Sequence, residues 1–396
     1  MAATIGLEPR RERLGIGPVG LGRLVACEVL AAASAPAWLL PRPTGYIASG
    51  VAALAIAAIV LLSLRGVGHR LAVRFRQRGL RKRARVTPTK GDTLSALAPR
   101  LNIAGVIERD VEYGIGFDGN GWFVGIAIQD EDPGTPTGLS ARTLGSVARV
   151  LLDPAATVSG IQIVSHLIPA PSAELDPDAA CIESYRELLG DDPTVSHHTT
   201  WVAIRLDVTD AYTVAEERGG GVEGARRAVT AMTGRLLKRL TDAGVGHRVL
   251  GADGLRVVLT HSVSGETVSA SLAERAVEEW SGWRIGSQLN VTFGIDGSVD
   301  DINGLRRLWT ALAMVSASFS TLSVTLRPWR RGGTSETEIT VESLLRVAYD
   351  DEVDDGVAAE LTDAARECGI RLWRFDGEQA VAAYASAPTG GGYPGR

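Results

Sequence analysis

The sequence predicts two N-terminal transmembrane helices, arranged as a hairpin, followed by a cytoplasmic mixed α/β (α+β) domain. Two long apolar stretches lie within the first 64 residues, and basic residues cluster on both sides of them. Strand and helix patterns then alternate along the rest of the chain. We therefore expect a cytoplasmic segment at 1–20, the transmembrane hairpin at 21–64, a basic juxtamembrane helix and linker at 65–110, the α/β domain at 111–385 and a disordered tail at 386–396.

The second apolar stretch, residues 45–64, contains 20 residues without a charge. A helix of that length rises roughly 30 Å, which matches the hydrocarbon core of a bilayer. The first stretch, residues 21–40, is weaker because it includes Arg23 and Glu28. A carboxylate is costly in lipid, so we expect Glu28 to face a partner helix or to reach the interface. Only residues 41–44 separate the two stretches, which predicts a tight hairpin.

Small residues recur at every fourth position of the second stretch and form one face on which another helix can pack. They are Gly45, Ser49, Ala53 and Ala57. Basic side chains follow the stretch and anchor it on the cytoplasmic side, as the positive-inside rule requires. This basic anchor includes Arg65, Arg70, Arg74, Arg76, Arg78, Arg81, Lys82 and Arg83. We therefore predict a multi-pass membrane protein with both termini and the large domain in the cytoplasm.

The elements of the domain follow from local periodicity and turn residues. Residues 111–129 predict two strands joined by a turn at 118–121. Further strands are predicted at 158–168, 199–209, 247–251, 288–295, 319–329, 337–344 and 370–375, and helices at 138–153, 178–190, 222–243, 252–262, 268–280, 299–316, 355–368 and 377–385.

A glycine-rich stretch before the helix predicted at 222–243 matches the pattern of a phosphate loop. Gly219, Gly221 and Gly224 satisfy G-x-G-x-x-G, in which glycines let the backbone approach a pyrophosphate. In a dinucleotide site the first glycine follows a strand immediately, whereas here the strand ends near Thr209. We therefore predict no nucleotide and no other cofactor, and expect these glycines to form a turn that leads into the helix.

Two other kinds of chemistry are only weakly indicated. The three cysteines, Cys27, Cys181 and Cys368, are far apart and have no metal-binding or disulfide spacing, so no metal site is predicted. Asp130 and Asp132 follow a strand, as the paired carboxylates of a nucleotide-sugar transferase do. A membrane-anchored glycosyltransferase-like enzyme that uses these two carboxylates is therefore one alternative function.

The charge is divided unevenly along the chain. Residues 1–90 contain 15 Lys and Arg against 3 Asp and Glu, and the remaining residues contain 26 against 43. The acidic domain argues against nucleic acid as a partner. The basic anchor could instead recognise anionic lipid head groups, which makes a lipid-sensing regulatory membrane protein a further alternative.

Two patches of the domain carry a family resemblance: Trp201–Asp207, and Arg218–Gly221 with Gly224. They resemble the EccE family, the membrane component of the type VII (ESX) secretion system, and its membership of an inner-membrane complex would place this chain in the cell inner membrane. The resemblance implies a non-catalytic structural subunit of a lipid-embedded complex, with no enzymatic activity and no small-molecule substrate. It implies EccB, EccC, EccD and the mycosin protease as partners. The residues to which it gives a structural role are Trp201, Arg205, Arg218, Gly219, Gly220, Gly221 and Gly224.

Overall fold

The computed structural model describes residues 15–16, 19–20, 93–129, 139–153, 156–170, 184, 187, 194–265, 276–296, 302–315, 317–330, 337–350 and 356–392. The chain divides into two compact units, Arg10–Val86 and Met1–Pro9 with Thr87–Arg396. In the first unit, β1 (Gly15–Ile16) and β2 (Val19–Gly20) pair as a short antiparallel ladder. The predicted spans, the stripe of small residues, Glu28 and the basic anchor lie outside the described residues. Among the described helices, none is long and apolar enough to span a membrane.

The second unit is a mixed domain built on an antiparallel sheet, which confirms the predicted α+β class. Its strands are β3 (Asn102–Glu108), β4 (Val111–Phe117), β5 (Gly121–Ile128), β6 (Gly160–Ala170), β7 (Thr194–Asp207), β8 (His247–Val249), β9 (Ala276–Glu278), β10 (Trp283–Ile285), β11 (Gln288–Asp296), β12 (Phe319–Arg330), β13 (Thr337–Asp350) and β14 (Arg371–Arg374). Its helices are α1 (Thr93–Leu97), α2 (Ala141–Leu151), α3 (Val208–Glu216), α4 (Gly221–Asp242), α5 (Ala252–Ser264), α6 (Ile302–Leu312), α7 (Val357–Glu367) and α8 (Gln379–Ser386).

The strand order of this sheet follows the same pattern from either edge, with β9 to β14 in the places of β3 to β8. The order is β3-β4-β5-β7-β6-β12-β13-β11-β10-β9, with β8 beside β5 and β14 beside β11. Strands β3 to β8 therefore correspond one by one to strands β9 to β14. The helices correspond as well, because they follow equivalent strands. Helix α2 corresponds to α6, the pair α3 and α4 corresponds to α7, and α5 corresponds to α8. The domain consists of two similar halves that meet at the antiparallel pair β6 and β12.

Individual backbone hydrogen bonds support this correspondence. In the first half the amide of Leu250, just after β8, donates to the carbonyl of Gly125 in β5 over 3.0 Å. In the second half the amide of Phe375, just after β14, donates to the carbonyl of Thr292 in β11 over 3.1 Å. A repeat is thus present in the structure although no repeat of fixed period is evident in the sequence.

The two faces of the sheet differ in chemistry. The first face carries the large apolar core, to which α2, α4, α6 and α7 contribute buried side chains. A smaller apolar cluster on the second face is built with α1, α5 and α8. Between these helices, the central strands present polar side chains to the second face. Because successive residues of a strand point to opposite faces, a single strand such as β7 supplies both surfaces.

Most predicted elements are confirmed, and the differences have local causes. The helix predicted at 268–280 is wrong at its end, because Ala276–Glu278 forms β9 and pairs with Trp283–Ile285 across a turn. The helix predicted at 178–190 lies almost entirely outside the described residues. Strands β3 and β10 and helices α1 and α3 are not among the predicted elements; β3 lies before residue 111 and is completed by pairing with β4.

The C-terminal residues differ most from the expectation. The segment 386–396 was predicted as a disordered tail from its glycine and proline content, yet Ser386, Ala387 and Thr389 are at most 1% exposed. The segment has its own hydrogen-bonding partners inside the domain, which local composition does not reveal. Residues 393–396 lie outside the described part.

Candidate functional site

The candidate site is a buried polar layer on the second face of the sheet, where the halves of the domain meet. Strand β7 shows how the sequence builds it. Val202, Ile204 and Leu206 alternate into the large core, whereas Trp201 and Arg205 face the polar layer and are 3% and 1% exposed. The other members are Asp118, Gln162, His166, Asn290, Thr321, Ser323, Arg346, Tyr384, Ser386 and Thr389, all buried.

Asp118 and Arg205 form the central ion pair of this layer. Nη1 of Arg205 donates to Oδ2 of Asp118 over 2.8 Å, and Nη2 donates to Oδ1 over 3.1 Å. The turn between β4 and β5 positions the carboxylate, because Oδ1 also accepts the backbone amides of Asn120 and Gly121 at 3.0 Å each. An Asp followed by Gly and Asn favours such a turn. The pair is bidentate, the strongest geometry for this chemistry.

Two further groups complete the environment of this ion pair. The hydroxyl of Tyr384, in α8, donates to Oδ2 of Asp118 over 3.1 Å. Nε of Arg205 donates to Asp207, whose carboxylate is one-third exposed. Burial alone would lower the pKa of Arg205, but Asp118 and then Asp207 outweigh it and raise this pKa. Burial, reinforced by Asp118, raises the pKa of Tyr384 well above its usual range. At neutral pH Arg205 is therefore charged and Tyr384 is neutral.

Gln162 in β6 holds the C-terminal segment in the layer. Its Oε1 accepts three consecutive backbone amides, from Thr389, Gly390 and Gly391, at 3.1, 2.8 and 2.9 Å. Its Nε2 donates to Ser323 Oγ and to the carbonyl of Ala385, each over 2.7 Å. One buried amide thus binds the chain on both sides of the bend that follows α8.

The glycines of the C-terminal segment allow it to pack closely against the sheet. Gly390 has a φ of 78° and Gly391 of 69°, a region that favours glycine. A Cβ at Gly390 or at Gly392 would collide with the side chain of Arg205. The carbonyl of Thr389 accepts from Nη1 of Arg205 over 3.1 Å. The segment therefore covers Arg205 and excludes solvent from its ion pair.

A second buried arginine, Arg346 in β13, binds the end of a helix. It is 0% exposed, and burial lowers its pKa to about 9. Nη1 donates to Asn290 Oδ1 over 3.0 Å and to the carbonyl of Val263 over 3.3 Å. Nη2 donates to the carbonyl of Ser262, and Nε to Ser386 Oγ over 2.9 Å. The last carbonyls of α5 thus supply the negative charge density that a cation favours.

Each of the two buried arginines binds groups that belong to the other half of the domain. Arg205 lies in the first half, and its partners in the second half are Tyr384 and Thr389. It reaches Tyr384 through Asp118 and binds the carbonyl of Thr389 directly. Arg346 lies in the second half and binds the C-terminal turn of α5, which belongs to the first. The polar layer therefore joins the halves through specific hydrogen bonds rather than through apolar packing alone.

A group of aromatic rings and histidines borders Arg346. The ring centroid of His166 lies 5.8 Å from that of Trp201, 5.0 Å from that of His261 and 4.8 Å from that of Phe319. Burial, reinforced by His261 and Arg346, lowers the pKa of His166 well below its usual range. His166 is therefore neutral at physiological pH, and one of its ring nitrogens lies 3.0 Å from Thr321 Oγ1.

The glycine-rich motif lies outside the polar layer, at the turn between α3 and α4. Gly219, Gly220 and Gly221 have φ values of 96°, 73° and 59°, so three consecutive residues use the left-handed region. Gly224 lies where the two helices touch, because a Cβ there would collide with the carbonyl of Ala215. Arg218 donates to the carbonyl of Val214 over 3.5 Å. The glycines therefore serve a turn and a close helix contact.

The structure brings together only some of the residues singled out in the sequence. Trp201 and Arg205 both lie in the polar layer, whereas the glycine motif lies apart from it. Asp130 and Asp132 lie outside the described residues. Within the described part of the chain, no group of three or more His, Cys, Asp or Glu side chains is placed to hold a metal ion.

Sequence reasoning missed Asp118, Gln162, Arg346 and Tyr384 as members of one site. Only Asp118 carries a local signal, since Asp-Gly-Asn predicts a turn. The contacts of the other three join residues that are far apart in the chain; the Gln162 amide, for example, meets residues 389–391.

The geometry indicates a site that maintains shape. The guanidinium of Arg205 and the carboxylate of Asp118 bind each other and their neighbours, and both are buried.

Comparison with known proteins identifies a family for one part of the chain. No curated protein matches the chain. Residues 194–295 match the family model described as "Putative type VII ESX secretion system translocon, EccE". This segment contains β7 with Arg205 and the glycine-rich turn, the two patches on which the resemblance was based. The resemblance of this chain to the EccE family is therefore confirmed over residues 194–295.

Proposed function

We propose that this chain is a non-catalytic structural subunit of the type VII (ESX) protein secretion complex and that it supports assembly or stability of the translocon. The observation that carries the proposal is the match of residues 194–295 to the EccE translocon family. In this proposal the hairpin at 21–64 anchors the chain in the inner membrane, with both termini and the domain in the cytoplasm. EccB, EccC, EccD and the mycosin protease are the proposed neighbours.

The buried polar layer supports a structural role. Its charged and amide groups hold β6, β7 and β13 to α5, α8 and the C-terminal segment. Such a network favours one arrangement of the two halves, because any other would leave buried polar groups unpaired. A domain of fixed shape, tethered at a membrane, has a high effective concentration for other membrane-proximal domains. These properties suit a subunit that braces a large assembly.

Co-purification from native membranes tests this proposal. The full chain, carrying an N-terminal affinity tag, is extracted in mild detergent and analysed by size-exclusion chromatography and mass spectrometry. We expect a large complex that contains the other translocon subunits. A chain that lacks residues 1–64 should lose this association while its domain remains folded by circular dichroism. Recovery of the intact chain alone, as a monomer, would contradict the proposed function.

A further inference from the structure

A cavity with a volume of about 390 Å³ lies on the first face of the sheet, at the edge formed by β3. The rings of Phe117 and Trp122 line it, with centroids 4.7 Å apart. Val222, in the first turn of α4, contributes a further apolar side chain. The volume falls within the range of about 300–1,000 Å³ that is typical of ligand pockets. The cavity is separate from the buried polar layer, which lies on the other face.

Two arginines line this mainly apolar cavity. Arg100 is exposed, and it forms no hydrogen bond or ion pair with the described residues. Arg226 pairs with Glu223 one turn earlier in α4, over 2.7 Å, and the carboxylate is 66% exposed. Such an i,i+3 pair contributes only about 0.2–0.5 kcal/mol, so a ligand carboxylate can replace it. The arginines contrast with the acidic composition of the domain and are complementary to negative charge.

The strand beside the cavity is an edge strand. Among the described strands, β3 pairs only with β4, so its outer backbone groups are unpaired within the described sheet. An extended peptide can add to such an edge through backbone hydrogen bonds, and its alternate side chains then share one face. Asn102 and Ala104 of β3 line the cavity. A peptide strand beside β3 would therefore direct every second side chain toward the cavity.

We propose that the cavity and the outer edge of β3 bind an extended acidic peptide segment of a partner protein. An aromatic or aliphatic side chain of that segment fills the space over Phe117 and Trp122, and its carboxylates pair with Arg100 and Arg226. The edge of the strand supplies affinity, the apolar cavity selects a hydrophobic anchor, and the arginines select the charge of the flanking residues. This inference goes beyond the proposed function and stands without it, because it concerns the isolated chain.

Fluorescence anisotropy with the full chain in mild detergent tests the proposal. The probe is a fluorescein-labelled peptide, Gly-Asp-Glu-Trp-Val-Asp-Glu-Gly, and its counterpart carries Lys in place of every Asp and Glu. We expect the acidic peptide to bind at least about tenfold more tightly than the basic one, and its affinity to fall as salt is added. Equal binding of the two peptides, or binding of neither, would overturn the proposal.

Three variants locate the binding. Arg226→Glu should weaken the acidic peptide about tenfold, and Ala104→Trp should abolish binding by filling the cavity. Lys238→Glu is the matched control, because it makes the same charge change on an exposed position of α4, about 18 Å further along the helix. Circular dichroism checks that each variant is folded. The proposal fails if Lys238→Glu weakens binding as much as Arg226→Glu, or if a folded Ala104→Trp still binds. Because no translocon subunit is present, these results are independent of co-purification.

Discussion

Asp118 and Arg205 join the β4–β5 turn to β7 through a two-point ion pair whose side chains are 0% and 1% exposed. The carboxylate also accepts a hydrogen bond from Tyr384, so three distant parts of the sequence meet at one charged group. A buried charge is stabilised only while its partner remains, since either ion alone would be buried without compensation. This pair therefore makes the arrangement of turn, strand and C-terminal helix interdependent.

Removing the carboxylate should destabilise the domain strongly. We expect Asp118→Ala to lower the free energy of unfolding by about 3–5 kcal/mol, because it leaves the guanidinium of Arg205 buried without its main counter-charge. Urea unfolding of the full chain, followed by circular dichroism, measures the change.

Asp207→Ala is the matched control for this prediction. Asp207 binds the same arginine but is one-third exposed, so its loss should lower the free energy of unfolding by only about 1 kcal/mol. The double variant Asp118→Leu with Arg205→Met should recover part of the stability lost in Asp118→Ala, since it removes both charges but leaves the Tyr384 hydroxyl and the two turn amides without the carboxylate. Equal losses for Asp118→Ala and Asp207→Ala would contradict the central role of the buried pair.

The C-terminal segment should contribute to folding. Deleting residues 389–396 removes the three amides that Gln162 Oε1 accepts and exposes Arg205. With about 0.5–1.5 kcal/mol per hydrogen bond, we expect unfolding to become easier by about 3 kcal/mol. Thermal unfolding provides a second readout, as a lower Tm.

Deleting only residues 393–396 provides the comparison, because the hydrogen bonds of Gln162 and Arg205 end at Gly391. This shorter deletion should leave both the urea midpoint and the Tm unchanged. If both deletions had the same small effect, the C-terminal segment would not be an integral part of the domain.

The same segment shows what a sequence can and cannot predict about this fold. Enrichment in Gly and Pro predicts that the chain has no regular secondary structure there, and residues 387–392 indeed form no helix or strand. Composition does not reveal that the side chain of Gln162, more than 200 residues earlier, accepts hydrogen bonds from the backbone of this segment. The prediction of disorder failed because an irregular segment can be ordered by a distant hydrogen-bonding side chain.

The sheet shows a related limit. In β7, the side chains of Val202, Ile204 and Leu206 share one face and those of Trp201 and Arg205 the other, which alternation along a strand explains because it is a local property. The pairing of β6 with β12, which joins the halves, depends on contacts between residues about 160 positions apart. The repeat escapes a search for fixed periods because equivalent elements are separated by different distances: α3 and α4 together correspond to the single helix α7. Equivalent elements therefore keep their place in the fold but not their spacing in the sequence.

His166 should make the stability of the domain depend on pH. Its pKa in the folded state is lowered, first by burial and then by His261 and Arg346. In the unfolded state its pKa returns to about 6.5, so below that pH the unfolded state binds the proton more strongly. Stability is then lost as the pH falls, by up to about 2 kcal/mol between pH 7 and pH 5 for one such group.

Comparison with His166→Gln isolates this contribution. The amide can still hydrogen-bond to Thr321 but does not titrate, so the variant should lose less stability than the wild-type chain between pH 7 and pH 5. Contributions of groups that do not interact with His166 are common to both proteins and cancel in the difference. Urea unfolding at several pH values measures it, and parallel pH profiles for the two proteins would contradict the prediction.

Two glycines of α4 should respond to the same substitution with opposite sign. At Gly224 an added Cβ would collide with the carbonyl of Ala215 in α3, so Gly224→Ala should force the helices apart and lower the free energy of unfolding by about 1–3 kcal/mol. At Gly234 nothing lies within 4 Å of an added Cβ. Gly234→Ala should therefore stabilise the domain by about 0.5–1 kcal/mol, because alanine loses less conformational freedom in a helix interior. Urea unfolding of the two variants measures both effects. If both substitutions stabilised the domain, the close contact between Gly224 and Ala215 would be disproved. The glycine-rich motif would then serve only the turn that leads into α4.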